Sequence, residues 1–475
     1  LNMKTLSLRD PSGCVFTVGD TIYRALREDY EPSYEMLMQS GLYDKLVYHG
    51  LLIPHVEVDD KLEIVARADQ AKVAPRTASQ DNWLRSRIIK PERVEFISYP
   101  YEWCFSQLKA AAIATLRAQR LSLEFDMSLK DASAYNIQFH RGRALLIDTG
   151  SFEPYRHGKP WIAYSQFVRH FLAPLTLMVK CSPEMNKLAL SYTDGIPIEL
   201  ACELLPWHTW LNPSLAVHFL GNKMARKASQ DKRAGTEANI KMPKEHLLAL
   251  LDDLESLIER MTLKTKRSTW SHYYQDNSYS KIAASSKEEI VTQFVDEINP
   301  YSVWDIGANN GYFSKLCADK GIFTISLDAD IRCVEDNFQN AQAENQNNLM
   351  PLVFDLTVPT PSAGWSNKER QGLALRGPAE LILALALVHH LAIAQNIPLK
   401  EIAAYFSELG QNLVIEFVPK DDVQVQRLLA LRDDVFERYD QRSFEEYFSR
   451  YFDIVKKQTV ADSQRVLYLM RAKNK

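Results

Sequence analysis

A short apolar segment that runs directly into a glycine-containing loop constrains the fold of this 475-residue chain more than any other feature. Residues 302–306 (SVWDI) have the apolar character of a buried strand, and GANNG follows at 307–311 before a helix-like stretch begins. Glycines at both ends of the loop allow a sharp turn and a close approach of the backbone to a ligand. The loop also points the amides of the next helix at that ligand. The sequence therefore predicts a strand–loop–helix unit that binds a small molecule.

Acidic residues stand at the ends of the strands around this loop. Asp305 lies near the end of the first strand, Asp328 ends FTISLD, and Asp355 follows MPLVF. The carboxyl ends of parallel strands meet at one edge of a sheet, where open α/β sheets bind their ligands. A carboxylate after the second strand is suited to accept both ribose hydroxyls of an adenosine, and Asp330 is the alternative for that role. Helix capping explains a single strand-end Asp, but it is a poor explanation for three in this order.

The loop lacks the third glycine of the NAD-binding pattern, but its D-x-G-x-x-x-G form resembles motif I of the class I S-adenosylmethionine-dependent methyltransferases. That form consists of Asp305, Gly307 and Gly311. The resemblance implies that the loop, with Asn309, holds the methionine part of the cofactor. It also implies that Asp355 contacts the adenine amino group. The expected fold of residues 263–475 is therefore an α/β, Rossmann-like class I methyltransferase domain with S-adenosylmethionine as its cofactor.

The chain also resembles a narrower group over nearly its whole length. The matching stretches include FISYPYEWCFSQLKAAA from Phe96, RGPAELILALALVHHLAI from Arg376 and VIEFVPKDD from Val414. The group consists of bacterial proteins catalogued as class I methyltransferases, some of them as nodulation-protein-like. The resemblance implies the reaction class and no particular methyl acceptor.

Three residues are candidates for catalysis. His389 and His390 follow the fourth strand, ELILALALV, and Glu416 lies on the fifth, NLVIEFV. A hydroxyl acceptor needs a base, and the pKa of histidine suits that role near neutrality. In the alternative, one histidine caps a strand or helix, and Glu416 forms a salt bridge with Lys420 or Arg370. The aromatic segment from Thr269 (TWSHYYQDNSY) is either a lid or sheet-edge packing, and the polar loop GWSNKER from Gly364 either lines the acceptor pocket or lies on the surface.

The N-terminal half contains a second candidate constellation. Asp131, Asn136 and Asp148 reproduce the D-x-x-x-x-N, hairpin, D-x-G order of protein kinases and aminoglycoside phosphotransferases. In those enzymes the first Asp orients the acceptor hydroxyl, whereas the Asn and the second Asp hold magnesium. This half is therefore expected to be an α+β domain with a kinase-like, two-lobed arrangement. A helical accessory domain in which the pattern has no function is the alternative.

The same half departs from the kinase pattern in three places. Leu129 stands two residues before Asp131, where kinases have a histidine followed by an arginine. SGCVFTVGD from Ser12 has two glycines rather than three, and the strand TIYRAL offers Arg24 where kinases have a lysine. Two close carboxylates need a cation between them. We therefore expect Asp131 to lie near Asp148, with Lys130 or Arg24 between them in place of a metal ion and no room for a triphosphate. A scaffold reused for binding is favoured over an active phosphotransferase.

Composition sets the remaining expectations. We predict three segments: residues 1–222 as the kinase-like accessory domain, 223–262 as a charged linker with a connecting helix, and 263–475 as the methyltransferase domain. The net charge of −4 gives no support for nucleic-acid binding, and the longest apolar runs are too short to span a membrane. Six scattered cysteines without a CxxC pair fit a reducing cytoplasm and predict no metal site.

Two functions follow as hypotheses. The leading one is transfer of a methyl group from S-adenosylmethionine to a small-molecule or carrier-bound acceptor that the N-terminal half selects. The alternatives are a ligand-sensing or regulatory protein without turnover, and a bifunctional phosphotransferase and methyltransferase. The oligomeric state is not predicted.

Overall fold

A computed structural model divides the chain into two compact units. It describes residues 3–5, 10–58, 87–221, 241–263, 280–430 and 434–473. The first unit comprises Leu1–Lys264 with the loop Ala363–Arg370, and the second comprises Thr265–Ser362 with Gln371–Lys475. The helix Lys244–Glu259, assigned above to the connecting segment, belongs to the first unit.

The first unit contains a five-stranded antiparallel sheet and two short antiparallel strand pairs. The order in the sheet is β1-β2-β3-β5-β4, with strands β1 Met3–Thr5, β2 Gly13–Val18, β3 Thr21–Leu26, β4 His55–Glu57 and β5 Arg87–Pro91. The pairs are β6 Met127–Leu129 with β9 Phe152–Pro154, and β7 Ile137–His140 with β8 Arg143–Leu146. The predicted hairpin with its turn at residues 140–142 is confirmed, and the turn uses positive φ at Arg141 and Gly142.

Helices make up most of the rest of the first unit. They are α1 Glu31–Gln39, α2 Leu42–Tyr48, α3 Phe105–Glu124, α4 Tyr164–Phe167, α5 Ala173–Lys180, α6 Leu188–Ser191, α7 Ile198–Leu204, α8 Pro213–Ala216 and α9 Lys244–Glu259. The sequence of residues 34–48 predicts a single helix, and this prediction is wrong. Gly41 takes a φ of 82°, which breaks the run into α1 and α2.

The apolar run VEFISY (residues 94–99) predicts a strand from the sequence, but the prediction is wrong, because the segment contains bends and irregular backbone. Side chains provide acceptors for two of its backbone amides. The Ser98 amide donates to Gln138 Oε1 at 2.9 Å, and the Tyr99 amide donates to Glu102 Oε2 at 2.9 Å. Apolar alternation alone does not distinguish a strand from such a segment. The run LEIVAR from Leu62, which the sequence also predicts as a strand, lies outside the described residues.

The second unit is built on a seven-stranded sheet of order β12-β11-β10-β13-β14-β16-β15. The strands are β10 Ser302–Ile306, β11 Phe323–Asp328, β12 Leu349–Val353, β13 Ala379–Ala384, β14 Gly410–Phe417, β15 Phe452–Thr459 and β16 Val466–Ala472. Strands β10 to β14 pair in parallel, and β16 is antiparallel to both of its neighbours. The five parallel strands therefore have the 3-2-1-4-5 arrangement of a doubly wound fold, as the sequence predicts.

Seven helices accompany this sheet in the described residues. They are α10 Lys281–Ile298, α11 Tyr312–Asp319, α12 Ile331–Ala343, α13 Leu373–Arg376, α14 Leu399–Leu409, α15 Val423–Leu429 and α16 Gln441–Phe448. The apolar face of α10 packs against one side of the sheet, where Phe294 and Val303 belong to one buried cluster. The strand order reverses between β10 and β13, so a crevice is expected beyond their carboxyl ends.

Candidate functional site

The loop after β10 is held against the end of β11 by backbone hydrogen bonds. The amides of Gly307 and Ala308 both donate to the carbonyl of Leu327, at 2.8 and 3.1 Å. Gly307 has a φ of 76°, and a Cβ there would lie 3.0 Å from Leu387 Cδ1. Leu387 belongs to the segment after β13, so the loops of the two central strands meet at the expected crevice.

The far end of the loop turns into α11 through two further residues with positive φ. Asn309 takes a φ of 53°, and Gly311, at the start of the helix, takes 80°. A Cβ at Gly311 would overlap the Asn337 side chain. The requirement for glycine is therefore both conformational and steric, and the loop backbone takes the tight form that the sequence predicts.

Asp305 is almost completely buried beneath this loop. Its Oδ2 accepts a hydrogen bond of 2.6 Å from Ser314 Oγ on α11. The pKa of Asp305 is raised to about 6, mainly by burial and also by the nearby Asp328 carboxylate, against the lowering effects of the Ser314 hydrogen bond and Lys287. These contacts make Asp305 a residue that fixes the loop and the helix.

Asp328 is the last residue of β11. Each of its carboxylate oxygens accepts a hydrogen bond from a backbone amide, and lone pairs remain for further hydrogen bonds. Its Oδ2 accepts from the Asn309 amide at 2.7 Å and its Oδ1 from the Asp330 amide at 2.8 Å. Burial raises the pKa of Asp328, against the effect of these backbone hydrogen bonds. A carboxylate has about four lone-pair positions, so two remain for ligand hydroxyls. Asp330, the alternative, caps α12 by accepting from the Arg332 amide at 2.9 Å.

Asp355 follows β12 and is half-buried. Its Oδ1 accepts from the Thr357 amide and hydroxyl, at 2.9 and 2.6 Å. Within the described residues its Oδ2 accepts no hydrogen bond. This oxygen is therefore available to accept a hydrogen bond from an amino group.

The two histidines after β13 have different surroundings. His389 is 0% exposed, and neither of its ring nitrogens has a hydrogen-bond partner among the described residues. Its ring centroid lies 4.2 Å from that of the half-buried His390. Burial lowers the pKa of His389 well below the usual value, and the neighbouring His390, Arg465 and Lys287 lower it further. Burial and Arg465 lower the pKa of His390 to about 4.

Glu416 lies in a buried chain of ion pairs. Lys287 Nζ donates to its Oε2 at 2.7 Å, and Arg465 Nη1 lies 3.5 Å from its Oε1. Arg465 also donates to Asp422, from Nε to Oδ2 at 2.7 Å. The salt bridge proposed above as an alternative therefore exists with other partners. Neither of the expected partners is used, because Lys420 pairs with Asp434 and Arg370 lies 3.6 Å from Glu369.

Sequence reasoning missed Lys287, Arg465 and Asp422. One signal was present. In α10 the buried positions are 283, 287, 290, 291, 294 and 295, so a lysine stands on the apolar stripe of an amphipathic helix. A lysine in such a place needs a buried counter-charge. No local pattern indicated that Glu416, 129 residues later, supplies it.

In the first unit, Asp148 and Asn136 are connected through one serine. Ser151 Oγ donates to Asp148 Oδ2 at 2.8 Å and accepts from Asn136 Nδ2 at 3.2 Å. Arg24 of β3 forms ion pairs with Asp148 and, at 2.5 Å, with Asp10. Arg24 therefore lies beside Asp148, but the second carboxylate that it pairs with is Asp10 rather than the expected Asp131.

The other residues of this constellation have contacts of their own. Asp131 Oδ1 accepts from the Ser133 amide at 3.0 Å and from Gln166 Nε2 at 2.7 Å. Lys130 Nζ donates to Ser12 Oγ at 2.7 Å instead of pairing with Asp148. The kinase-like interpretation of this unit stays a prediction.

Two predicted segments remain. The aromatic segment from Thr269, predicted as a lid, lies outside the described residues. The loop Ala363–Arg370 belongs to the first unit, where the Arg370 guanidinium lies 3.9 Å from the centre of the Tyr135 ring. Within the described ranges, no helix is both long and apolar enough to cross a membrane.

Comparison with known proteins identifies the family. No family model matches the chain. Nodulation protein NoeA of Rhizobium meliloti (strain 1021) is 33% identical over 467 residues, which cover 97% of this chain and 94% of the relative. The chain belongs to the NoeA family. The resemblance to nodulation-protein-like sequences is thereby confirmed.

Solved structures also show likeness to this NoeA homologue over less than half of its length. The PH0226 protein of Pyrococcus horikoshii OT3 is 14% identical with a TM-score of 0.32, over 42% of this chain and 99% of that one. The bifunctional kinase-methyltransferase WbdD is 15% identical with a TM-score of 0.31, over 44% and 43%. Magnesium protoporphyrin IX methyltransferase of Synechocystis PCC 6803, with bound SAM, is 18% identical with a TM-score of 0.30, over 43% and 89%. Likenesses of this size carry no argument about chemistry, which rests on the residues of the chain itself.

Proposed function

We propose that the second unit binds S-adenosylmethionine and transfers its methyl group to a small-molecule or carrier-bound acceptor. The observation that carries the proposal is the carboxylate of Asp328. It lies at the end of β11, fixes the Asn309 amide of the glycine-containing loop, and keeps lone pairs for two hydroxyls. A ribose beside a sharply turned loop is the ligand that this arrangement fits.

The other site residues contact different parts of the cofactor in this proposal. The backbone of the loop from Gly307 to Gly311 approaches the methionine part, because no side chain stands at either glycine. The free Oδ2 of Asp355 accepts from the adenine amino group. When bound, the cofactor supplies an electrophilic methyl group on a sulfonium.

Histidine and glutamate have different roles in this proposal. His389 and His390 follow the strand beside the loop and are the candidates for a base. Glu416 is a candidate catalytic residue of the sequence analysis, but its ion pairs with Lys287 and Arg465 favour a role in holding these two cations near the histidines. The proposed base is therefore a histidine.

Calorimetry on the whole protein tests the binding step, and a transfer assay tests the reaction. We expect S-adenosylmethionine to bind, and label from its methyl group to appear in acceptors from a small-molecule extract of the source organism. Binding without any transfer would favour the ligand-sensing alternative. Absence of binding by the folded protein would contradict the assignment of Asp328.

For the first unit, we propose a kinase-like scaffold that selects the acceptor without transferring phosphate. Asp148 and Asp10 are both neutralised by Arg24, whose side chain is 7% exposed. A guanidinium between two carboxylates does the charge compensation that a magnesium ion provides in a phosphotransferase. This supports a metal-independent structural role for the cluster over the bifunctional alternative.

The same calorimeter tests this second proposal. ATP with magnesium should produce no binding heat and no thermal stabilisation of the protein. ATP turnover that disappears in the Asp148→Ala variant would instead identify an active phosphotransferase.

A further inference from the structure

We infer that the methyl acceptor presents a hydroxyl oxygen to His389, so that the product is a methyl ether. This inference rests on the proposed methyl transfer and names the atom that receives the group. It depends on three features of the second unit: the unpartnered ring of His389, the position of that ring after β13, and the cations around it.

A fully buried imidazole without hydrogen bonds is costly. His389 is 0% exposed, and both ring nitrogens lack partners within the described part of the chain. Each unmet buried polar group costs about 1–3 kcal/mol. A neutral imidazole has one N–H donor and one lone pair that accepts a hydrogen bond. A hydroxyl group can donate one hydrogen bond and accept another. The ring is therefore complementary to an alcohol or phenol.

His218 is the contrast within the same chain. It is also 0% exposed, but its Nδ1 bonds the Tyr164 hydroxyl at 2.7 Å and its Nε2 bonds Asp253 Oδ2 at 3.0 Å. Both of its nitrogens are satisfied by protein groups, as expected of a structural histidine. Both ring nitrogens of His389 lack such partners, as expected of a histidine that binds a ligand.

The position of His389 connects it to the cofactor site. Its segment follows β13 and contacts Gly307 through Leu387. Strands β10 and β13 are the pair between which the sheet order reverses. A group bound at His389 is therefore on the side of the crevice where the loop after β10 lies.

The charges facing His389 discriminate between acceptor types. They are His390 on the same segment, Lys287 on α10, and Arg465 before β16, with Glu416 and Asp422 as counter-charges of the two cations. Burial, His390, Arg465 and Lys287 lower the pKa of His389, so its ring is neutral at pH 7. The same cations disfavour the binding of an ammonium group, which is the form of an alkyl amine at neutral pH, whereas a hydroxyl acceptor carries no charge.

The step balances in atoms and charge. The acceptor oxygen forms a bond to the methyl carbon, and the carbon–sulfur bond breaks with its electron pair left on sulfur. The hydroxyl proton moves to the free ring nitrogen of His389. The proton of an oxygen under methylation is strongly acidic, so a weakly basic imidazole that stays unprotonated at neutral pH is sufficient. The imidazolium forms as the sulfonium charge disappears, and it later returns its proton to water.

A stability measurement tests the unpartnered ring without any ligand. His389→Leu removes two unmet polar atoms, so the melting temperature of the free protein should stay the same or rise by about 2–4 °C. His218→Leu is the matched control and should lower it, because Tyr164 and Asp253 lose their partner. A fall in His389→Leu as large as the fall in His218→Leu would show that the ring is structural, and would overturn the inference.

Product chemistry tests the acceptor atom. Protein, S-adenosylmethionine with a tritiated methyl group, and a small-molecule extract of the source organism are incubated together. We expect a labelled product that survives alkali and passes a cation exchanger, and at least a hundredfold less of it with folded His389→Leu or His389→Gln. Label released by alkali as methanol identifies a methyl ester, and label retained by the exchanger identifies an amine. Either result overturns the hydroxyl inference and leaves methyl transfer standing, whereas binding of S-adenosylmethionine without any labelled product overturns both.

Discussion

Asp328 combines two tasks on one carboxylate. It accepts the amides of Asn309 and Asp330, which shapes the turn between β10 and α11, and it has lone pairs left for the ribose. Asp330, two residues further on, caps a helix instead. Neighbouring carboxylates with the same sequence signal therefore have different predicted functions.

The first prediction separates these two residues. Asp328→Ala should weaken S-adenosylmethionine binding by about 1–3 kcal/mol, since it removes a charge-assisted acceptor and the anchor of the loop. That is roughly a tenfold loss of affinity for each 1.4 kcal/mol, as measured by calorimetry. Asp330→Ala is the control, and it should reduce helix stability by about 1 kcal/mol while leaving the affinity within about twofold. The opposite ranking of the two variants would assign the ribose to Asp330.

At the residue scale, the sequence predicts positions where the signal is local. Asp305 lies within β10, Asp328 ends β11 and Asp355 follows β12, as expected, whereas their roles in binding stay predictions. Lys287 and Arg465 were missed because their roles depend on partners that only the folded chain brings near. The unpartnered ring of His389 could not be predicted either, because the hydrogen bonds of a buried side chain depend on tertiary packing rather than on the local sequence.

The glycine-containing loop is the element that combines backbone shape with ligand binding. Gly311 and Gly321 make a matched pair, with φ values of 80° and 82°. A Cβ at Gly311 would overlap Asn337, whereas a Cβ at Gly321 would meet nothing within 4 Å. Replacing either glycine with alanine therefore has the same conformational cost, but only the substitution at Gly311 also causes a steric clash.

The second prediction uses this pair. Gly321→Ala should lower the free energy of unfolding by about 1–2 kcal/mol, the cost of a left-handed residue with a Cβ, and leave cofactor affinity unchanged. Gly311→Ala should cost more and reduce affinity at least tenfold, because the start of α11 must move. Urea unfolding and calorimetry measure the two quantities. Equal effects of both substitutions on affinity would show that the loop does not contact the ligand.

Element prediction was accurate for the second unit and less so for the first. Strands β10 to β14 are short, mostly apolar and mostly buried runs, and parallel central strands give this pattern directly. In the first unit, the segment 94–99 reads as a strand but obtains its hydrogen bonds from Gln138 and Glu102. Hydrogen bonds to side chains at other positions cannot be predicted from the local alternation of apolar and polar residues.

The whole molecule contains buried neutral histidines in both units. Burial lowers the pKa of His55 to about 4 and that of His170 to about 3 in the first unit. In the second, it lowers the pKa of His390 to about 4 and that of His389 well below 6.5. Because the folded pKa is below the unfolded one, the unfolded chain binds more protons as the pH falls through 6.5.

The third prediction follows from this difference in proton uptake. Stability should be greatest above pH 6.5 and should fall between pH 6.5 and 4, by at most about 1.4 kcal/mol per pH unit for each histidine. Asp305 acts in the opposite direction between its unfolded pKa and about 6. Burial also raises the pKa of Asp10, Asp328 and Asp336, and these four carboxyl groups offset part of the loss. Thermal unfolding at pH 7.5, 6.5 and 5.5 should show a decreasing melting temperature. A constant or increasing value would mean that these rings are protonated in the folded protein.

The buried ion chain also has a consequence for the growing polypeptide. Lys287 and Glu416 are 129 residues apart in the sequence, and Asp422 and Arg465 are 43 residues apart. At about 5–20 residues per second, a ribosome needs roughly six to twenty-six seconds to add the 129 residues between Lys287 and Glu416. Until Glu416 is made, we expect the Lys287 ammonium to favour a hydrated face of α10, because its burial without a counter-charge is costly. Packing of α10 against the sheet should therefore follow the synthesis of β14.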